Sequence, residues 1–516
     1  MLLATIFFYV FLAAALCFSG VYYSHMFQLE AYLPAQFFHW LKDNFFKNLF
    51  LKFLPALAAV ILLALLTTMP TMVIASLLLI ACAVLFRPVK AKKPLVFTAR
   101  IWRLLTTYAV LCAIICVLVS LFGLRFLAPV TVIVSPYLLL AANLINRPAE
   151  LAVRRHYINQ AKAIIRARKK TLTVIGITGS YGKTSTKYFL TKVLSQKFNV
   201  LMTPASYNTT MGVVKVIREM LKPSHEIFVC EMGARNVGEI KEICDIVLPD
   251  YGIITSIGPQ HLETFKSIEN IINTKFELAD AVGEKNHVFL NADNRYIYER
   301  RYDSEYIYYG MENGDSAYFA DKVRTTSDGT SFEFISEKET MTLSSRLIGK
   351  HNVLNIVAAC AVAQRLGVEK NDIVRAVKML EPVPHRLQLI DSGDIVIIDD
   401  SFNSNPAGAK SALEALSCFD GVKVLVTPGM VELGESQDIL NREFGTQASN
   451  ICNYIYIVGK VNYDSIFKGA KTTGFDVSSR LVSVSSPEQA ISLARALPTD
   501  KRKIILLEND LPDNFN

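Results

Sequence analysis

None of the nine cysteines in the 516-residue chain forms a Cys-x-x-Cys pair, which speaks against a disulfide framework and against a zinc site. A scattered, unpaired set fits a reducing cytoplasm for the part that follows the apolar region. Also missing is any basic stripe interleaved with aromatics. The net charge of +8 is therefore read as cations flanking apolar spans rather than as a nucleic-acid groove. A third absence is charge itself, because Leu2 to Tyr23, Phe53 to Phe86, Leu104 to Phe122 and Phe126 to Ile145 contain no Asp, Glu, Lys or Arg. Such spans offer no ion path or proton relay, so an anchor or lipid-facing platform outranks a transporter.

What is present divides the chain in two. A hydrophobic fraction of 51% and a mean hydropathy of +0.30 are too apolar for an ordinary soluble enzyme, and the excess lies in the first 150 residues. Leu2 to Tyr23 is long enough to cross a bilayer, and no Lys or Arg precedes it as in a cleaved signal. Phe53 to Phe86 is too long for one crossing and is read as a hairpin turning near Thr68-Met69-Pro70. Two further spans, split by Gly123-Leu124-Arg125, bring the expected count to five. Three basic segments then share one face: Lys42, Lys47 and Lys52; Arg87 to Arg103; and Arg147 to Lys170. By the positive-inside rule that face is the cytoplasm, with the N-terminus outside and the C-terminal part inside.

From Leu172 onward short β-branched runs alternate with amphipathic stretches, the pattern of an α/β domain with a mainly parallel sheet. The strand Leu172 to Ile177 runs into Thr-Gly-Ser-Tyr-Gly-Lys-Thr-Ser at 178 to 185 and then a helix from about Lys183. Strand, glycine loop and helix N-terminus set backbone N–H groups around a phosphate. Gly179 and Gly182 give the tight backbone, Lys183 reaches the β and γ phosphates, and the Thr184 hydroxyl meets Mg²⁺. A second apolar run, Ile227 to Cys230, delivers Glu231 to the edge where open α/β sheets bind ligands. Alone Glu231 is a solvated strand-end acid; beside a phosphate loop it is a metal ligand. His261, after the strand Ile253 to Ser256, is either a satisfied loop histidine or a second ligand.

The loop, Glu-Met-Gly-Ala at 231 to 234, His-Leu-Glu at 261 to 263 and Thr-Lys-Phe-Glu at 274 to 277 fall in one order with four later motifs. These are Leu-Asn-Ala-Asp-Asn ending at 294, Gly-Lys-His-Asn-Val-Leu-Asn at 349 to 355, His-Arg-Leu at 385 to 387 and Asp-Asp-Ser-Phe-Asn-Ser-Asn-Pro at 399 to 406. Together they resemble the Mur ligase family over about residues 171 to 440, most closely its D-alanyl-D-alanine-adding branch.

Hydropathy and charge mark a transmembrane region at 1–148 and a basic juxtamembrane linker at 149–170; the resemblance implies a central ATP-binding domain at 171–382 and a Rossmann-like C-terminal domain at 383–516. It implies ATP with two Mg²⁺ ions, one on Thr184 and Glu231 and the other on His261. Ser180, Ser185, Asn294, Asn352, Asn355, Arg386 and Asp400 join Gly179, Gly182, Lys183 and Thr184 around the nucleotide. Lys275 matches a lysine that most members carbamylate beside the second metal, although by itself it reads as an exposed helical lysine. Asn208, Thr209, Asn403 and Asn405 fall on the substrate side.

The implied reaction is ATP-dependent amide formation through an acyl phosphate, joining a dipeptide or amino acid to a muropeptide. Three departures stand out. The apolar block takes the place of the domain with which soluble members grip UDP, opening the route to a lipid-linked acceptor at the bilayer. Phe402 stands where the family often has tyrosine, and Ile504 to Asn514 replaces its lysine-glycine-serine segment. Rival readings are a synthetase of another amide-linked polymer such as poly-γ-glutamate, and a non-catalytic membrane scaffold.

Overall fold

The computed structural model describes every residue except 1, 88–92, 206, 261, 301–304, 315, 403, 432 and 510–516, and leaves aside the side chains at 47, 48 and 263. The chain separates into two compact units, one running to His156 and the other starting at Tyr157.

The first unit is helical. Leu2–Leu29 and Ala99–Leu121 each have the length and apolarity to cross a membrane unbroken. The expected hairpin is present as Phe50–Leu65 and Met69–Leu85, with the break where it was read: Thr71 Oγ1 accepts from the Thr68 N–H at 2.9 Å, and Pro70 opens the next helix. These two helices have 16 and 17 residues, so at about 1.5 Å per residue each falls short of a hydrocarbon core of about 30 Å.

The expected last span is not straight. Pro129 and Pro136 divide it, and the pieces Arg125–Ile133 and Ser135–Arg168 bend by 74°. Among the described residues two helices are long and apolar enough to cross unbroken, or three if the bent pair is one span, with the two shorter apolar helices beside them. The segment read as a linker, 149–170, is mostly the end of the 34-residue helix Ser135–Arg168.

Sequence reading passed over the amphipathic helix Pro34–Asn44, whose Phe37 and Leu41 are buried while His39 and Asp43 pair in solvent. The aromatic side chains of Phe8, Tyr23, Phe27, Phe37 and Phe86 fill the core of this unit. Ile6, Phe7, Val10, Val73, Leu77, Val110, Ile114 and Val117 point outward, a display of apolar surface that suits lipid better than water.

The second unit holds two sheets. The first contains β1 (Thr173–Thr178), β2 (Val200–Met202), β3 (Ile227–Glu231), β4 (Tyr251–Ile254), β5 (Val288–Asn291), β6 (Ile307–Gly310), β7 (Tyr318–Thr326), β8 (Gly329–Ser336) and β9 (Thr340–Ser345), in the order β2-β3-β1-β4-β5-β6-β7-β8-β9. The pairs from β2 to β7 are parallel, and β3 is buried at all five residues, as a strand covered on both faces must be. β7, β8 and β9 are antiparallel and were not foreseen. Their signals were local: Asp328-Gly329 at the turn, with Gly329 at φ +141°, and strict in-out alternation along β9.

Helix Lys350–Arg365 is buried over almost its whole circumference and packs against helix Lys183–Leu194.

The second sheet contains β10 (Gln388–Asp391), β11 (Ile395–Asp400), β12 (Val422–Thr427), β13 (Tyr454–Val458), β14 (Leu481–Val484) and β15 (Lys503–Glu508), in the order β10-β11-β15-β12-β13-β14. Only the β10–β11 pair is antiparallel. Because β15 is inserted between β11 and β12, Asp400 lies directly opposite Glu508 at the carboxyl edge of the sheet.

Candidate active site

The phosphate loop leaves β1 at Thr178 and enters helix Lys183–Leu194 five residues later. Both glycines are required sterically. Gly179 has φ +149°, and a Cβ there would lie 2.1 Å from Thr255 Oγ1; Gly182 has φ +82°, and its Cβ would lie 2.7 Å from Asn355 Oδ1. The segment after β4 holds the loop. Ser180 N–H donates to Ser256 O at 2.7 Å, Ser180 Oγ to Gly258 O at 3.0 Å and Tyr181 N–H to Ser256 Oγ at 3.0 Å. Lys183 folds back, donating from Nζ to Gly179 O at 2.7 Å and to Ser180 O at 3.2 Å. Burial draws its ammonium down to about 8, in spite of the Glu231 carboxylate, and Arg386 adds to the repulsion.

Glu231, 1% exposed, is the hub. Its Oε1 accepts from Thr184 Oγ1 at 3.1 Å and from Asn208 Nδ2 at 2.9 Å, and its Oε2 accepts from Lys187 Nζ at 2.9 Å. Desolvation works to raise its proton affinity, yet Lys187 and then Lys183 hold the carboxyl below its ordinary range. It is therefore an anion at neutral pH. Thr184 Oγ1 and Glu231 Oε1 make a hard oxygen pair. Mg²⁺ takes such a pair when phosphates and water complete an octahedron, so the donor chemistry fits one ion here. Among the described residues no group of three or more His, Cys, Asp or Glu side chains forms a ready-made metal cage. His261, the expected second ligand, lies outside the described residues.

Lys275 is not the exposed helical lysine that its local sequence suggests. It is 3% exposed, its Nζ lies 5.8 Å from the Phe265 ring, and burial first, then Lys183, bring its ammonium down to about 7. A fraction of this amine is neutral at physiological pH.

Arg386 stacks its guanidinium 4.5 Å over Phe402. Asp400, pushed up to about 6 by burial against the pull of Arg386, accepts from the Leu387 N–H at 3.2 Å.

Other expected residues have their polar groups engaged by the chain itself. Asn294 caps helix Arg295–Tyr298 and donates to Ile257 O at 2.9 Å. Asn352 donates to Ile348 O at 2.8 Å, and Asn355 accepts from Thr186 Oγ1 at 3.1 Å. Thr209 and Asn405 are N-caps, accepting from Gly212 and Gly408. Ser185 is buried in the first turn after the loop. Asn403 lies outside the described residues.

Sequence reasoning missed two residues. Lys187 is fully buried, and its place one turn after Lys183 was the available sign. His351 has a buried Nδ1 with no hydrogen-bond partner, and burial, aided by Arg386, lowers its imidazolium to about 4. It lay in the Gly-Lys-His-Asn run without being given a role.

A pinned glycine loop, a lysine and a buried carboxylate at the carboxyl edge of a parallel sheet define a phosphate-loop nucleotide-binding protein. Residues 177–363 match the Mur ligase middle domain, and residues 385–507 match the Mur ligase, glutamate ligase domain. A UDP-N-acetylmuramoyl-tripeptide–D-alanyl-D-alanine ligase of Synechocystis is 31% identical over 58% of this chain and 65% of its own length. The ligase of the same name from Buchnera aphidicola is 30% identical over 59% of this chain and 69% of its own. The chain thus spans about two thirds of these relatives. The MurF ligase of Thermotoga maritima, solved in complex with ADP, aligns with a TM-score of 0.61 and 27% identity over 69% of this chain and 80% of that one. The chain belongs to the Mur ligase family.

Proposed function

We propose that the chain is an ATP-dependent amide ligase that adds D-alanyl-D-alanine, or a similar amine, to a muropeptide at a membrane surface, releasing ADP and phosphate. The observation that carries this reading is the convergence of Lys183, Thr184 and Asn208 on or beside the buried anion Glu231, next to a glycine loop that admits no side chain. It is supported by the names of the curated relatives, which are UDP-N-acetylmuramoyl-tripeptide–D-alanyl-D-alanine ligases.

In this reading the substrate carboxylate attacks the γ-phosphate, and the amine then attacks the resulting acyl phosphate and expels phosphate. Lys183 leaves its loop carbonyls to meet the phosphates, and Arg386 adds a second cation; both stabilise charge that builds in transfer. Thr184 and Glu231 would hold Mg²⁺, whose charge would screen the phosphates from the approaching carboxylate. His261 is the proposed ligand of a second ion. The lowered proton affinity of Lys275 suits reaction of its neutral amine with CO₂ to give a carbamate. Asn208, Thr209, Asn403 and Asn405 are assigned to the substrate side.

The helical unit, with its outward apolar faces, is assigned to the bilayer, and the three basic segments favour an odd number of crossings, with the N-terminus outside and the ligase unit in the cytoplasm. This placement favours a lipid-linked muropeptide over the UDP-linked one. The test is phosphate release by the full-length chain in detergent with D-alanyl-D-alanine and each acceptor. Turnover with the polyprenyl-linked form above that with the UDP-linked form is expected. Equal or faster turnover of the UDP form would remove the lipid assignment, and no turnover with either would remove the ligase assignment.

A further inference from the structure

The two oxygens of Glu231 have partners of different kinds. Oε1 faces the Thr184 hydroxyl and the Asn208 amide, both neutral donors. Oε2 is held at 2.9 Å by the Lys187 ammonium, which also donates to Ala205 O at 2.7 Å. Lys187 is fully buried, so it has no solvent into which to withdraw. Parting such an ion pair strands an uncompensated charge in the interior. Both oxygens are hydrogen-bonded, but only the neutral donors on Oε1 can yield to a metal without parting an ion pair.

We propose that Lys187 confines Glu231 to one-oxygen coordination and so makes this metal site select Mg²⁺ over Ca²⁺. The inference rests on the nucleotide-site reading above and deepens it. Mg²⁺ demands a compact octahedron in which a carboxylate gives one oxygen while water and phosphate fill the rest. Ca²⁺ takes more oxygens and readily uses both from one carboxylate. The charge of Lys187 repels both ions alike, so to first order its electrostatic contribution cancels when their affinities are compared. The blocked oxygen does not cancel, because only the larger ion would use it.

The experiment is calorimetric titration of ADP into the full-length chain in detergent, at saturating free Mg²⁺ or Ca²⁺, for the wild type, Lys187→Met and Lys187→Arg. The wild type is expected to bind ADP at least about tenfold more tightly with Mg²⁺ than with Ca²⁺, and Lys187→Met to shrink that ratio by about tenfold. Lys187→Arg, which keeps a cationic donor on Oε2, should hold the ratio near the wild-type value. Equal wild-type affinity with the two metals overturns the proposal without any variant, as does an unchanged ratio in Lys187→Met. Metal-independent ADP binding by the wild type, or no ADP binding at all, would instead refute the nucleotide-site reading beneath it.

Discussion

The carboxyl edges of the two sheets carry opposite electrostatics. At the first, Lys187 and Lys183 hold Glu231 anionic, and Lys275 lies within the field of Lys183. At the second, Asp400 and Glu508 face each other on neighbouring strands. Glu508, buried, receives hydroxyl donors from Ser404 and from Thr427 at 2.7 Å. Burial pushes Glu508 up to about 7 and Asp400 up to about 6. An edge crowded with cations is prepared for a polyanion; one whose buried carboxyls are pushed upward keeps protons instead. The same α/β architecture serves both, so the difference lies in the residue placed at each strand end rather than in the fold.

The contrast can be broken from the cationic side first. Lys183→Met should reduce phosphate release by about a thousandfold or more, since it removes a cation aimed at charge built during transfer; near-normal turnover would mean that the loop holds no triphosphate. Lys275→Ala should lower turnover by about a hundredfold, and wild-type protein given ¹³C-bicarbonate should show a carbamate resonance that the variant lacks.

The acidic edge gives a stability test. The folded-state proton affinity of Glu508 is raised from an ordinary value of 4.5 to about 7, so its protonated form stabilises the fold fully below about 4.5, and that contribution fades as pH rises through 7. Glu508→Gln should therefore match the wild type near pH 4 and exceed it at pH 8, by about 3 kcal/mol at most, read as a rising gap in thermal midpoint across that interval. A gap that is constant with pH would show that the carboxyl titrates normally. The smallest effect is expected for Phe402→Leu, which removes the aromatic face under Arg386 and should weaken ADP binding by about 1 kcal/mol.

The phosphate loop was legible in sequence because its parts are contiguous: an apolar strand, two glycines, a lysine and a helix start within thirteen residues, 173 to 185. Glu231 was legible for a related reason, since a buried strand announces its own end. Lys187 was not, because its meaning depends on β3 lying beside the helix, and nothing in Lys-Thr-Ser-Thr-Lys states which strand is the neighbour. Lys275 reads locally as surface and becomes interior only when helix Ile268–Val282 packs down. The tail after Ile504 was noticed as a departure, but pairing Glu508 with Asp400 required the insertion of β15 between β11 and β12. In the helical unit composition marked every apolar segment, while the kink that breaks 126–145 depends on how prolines shape the backbone.

The backward fold of Lys183 onto Gly179 O and Ser180 O has a kinetic and energetic sequel. Those two bonds give the buried ammonium partners within its own loop. An arriving phosphate must exchange those two carbonyl bonds for its own oxygens, and the measured affinity is the difference between the two sets. A substitution that only loosened the lysine from its resting carbonyls would thus tighten nucleotide binding while leaving every contact in the bound complex as it was.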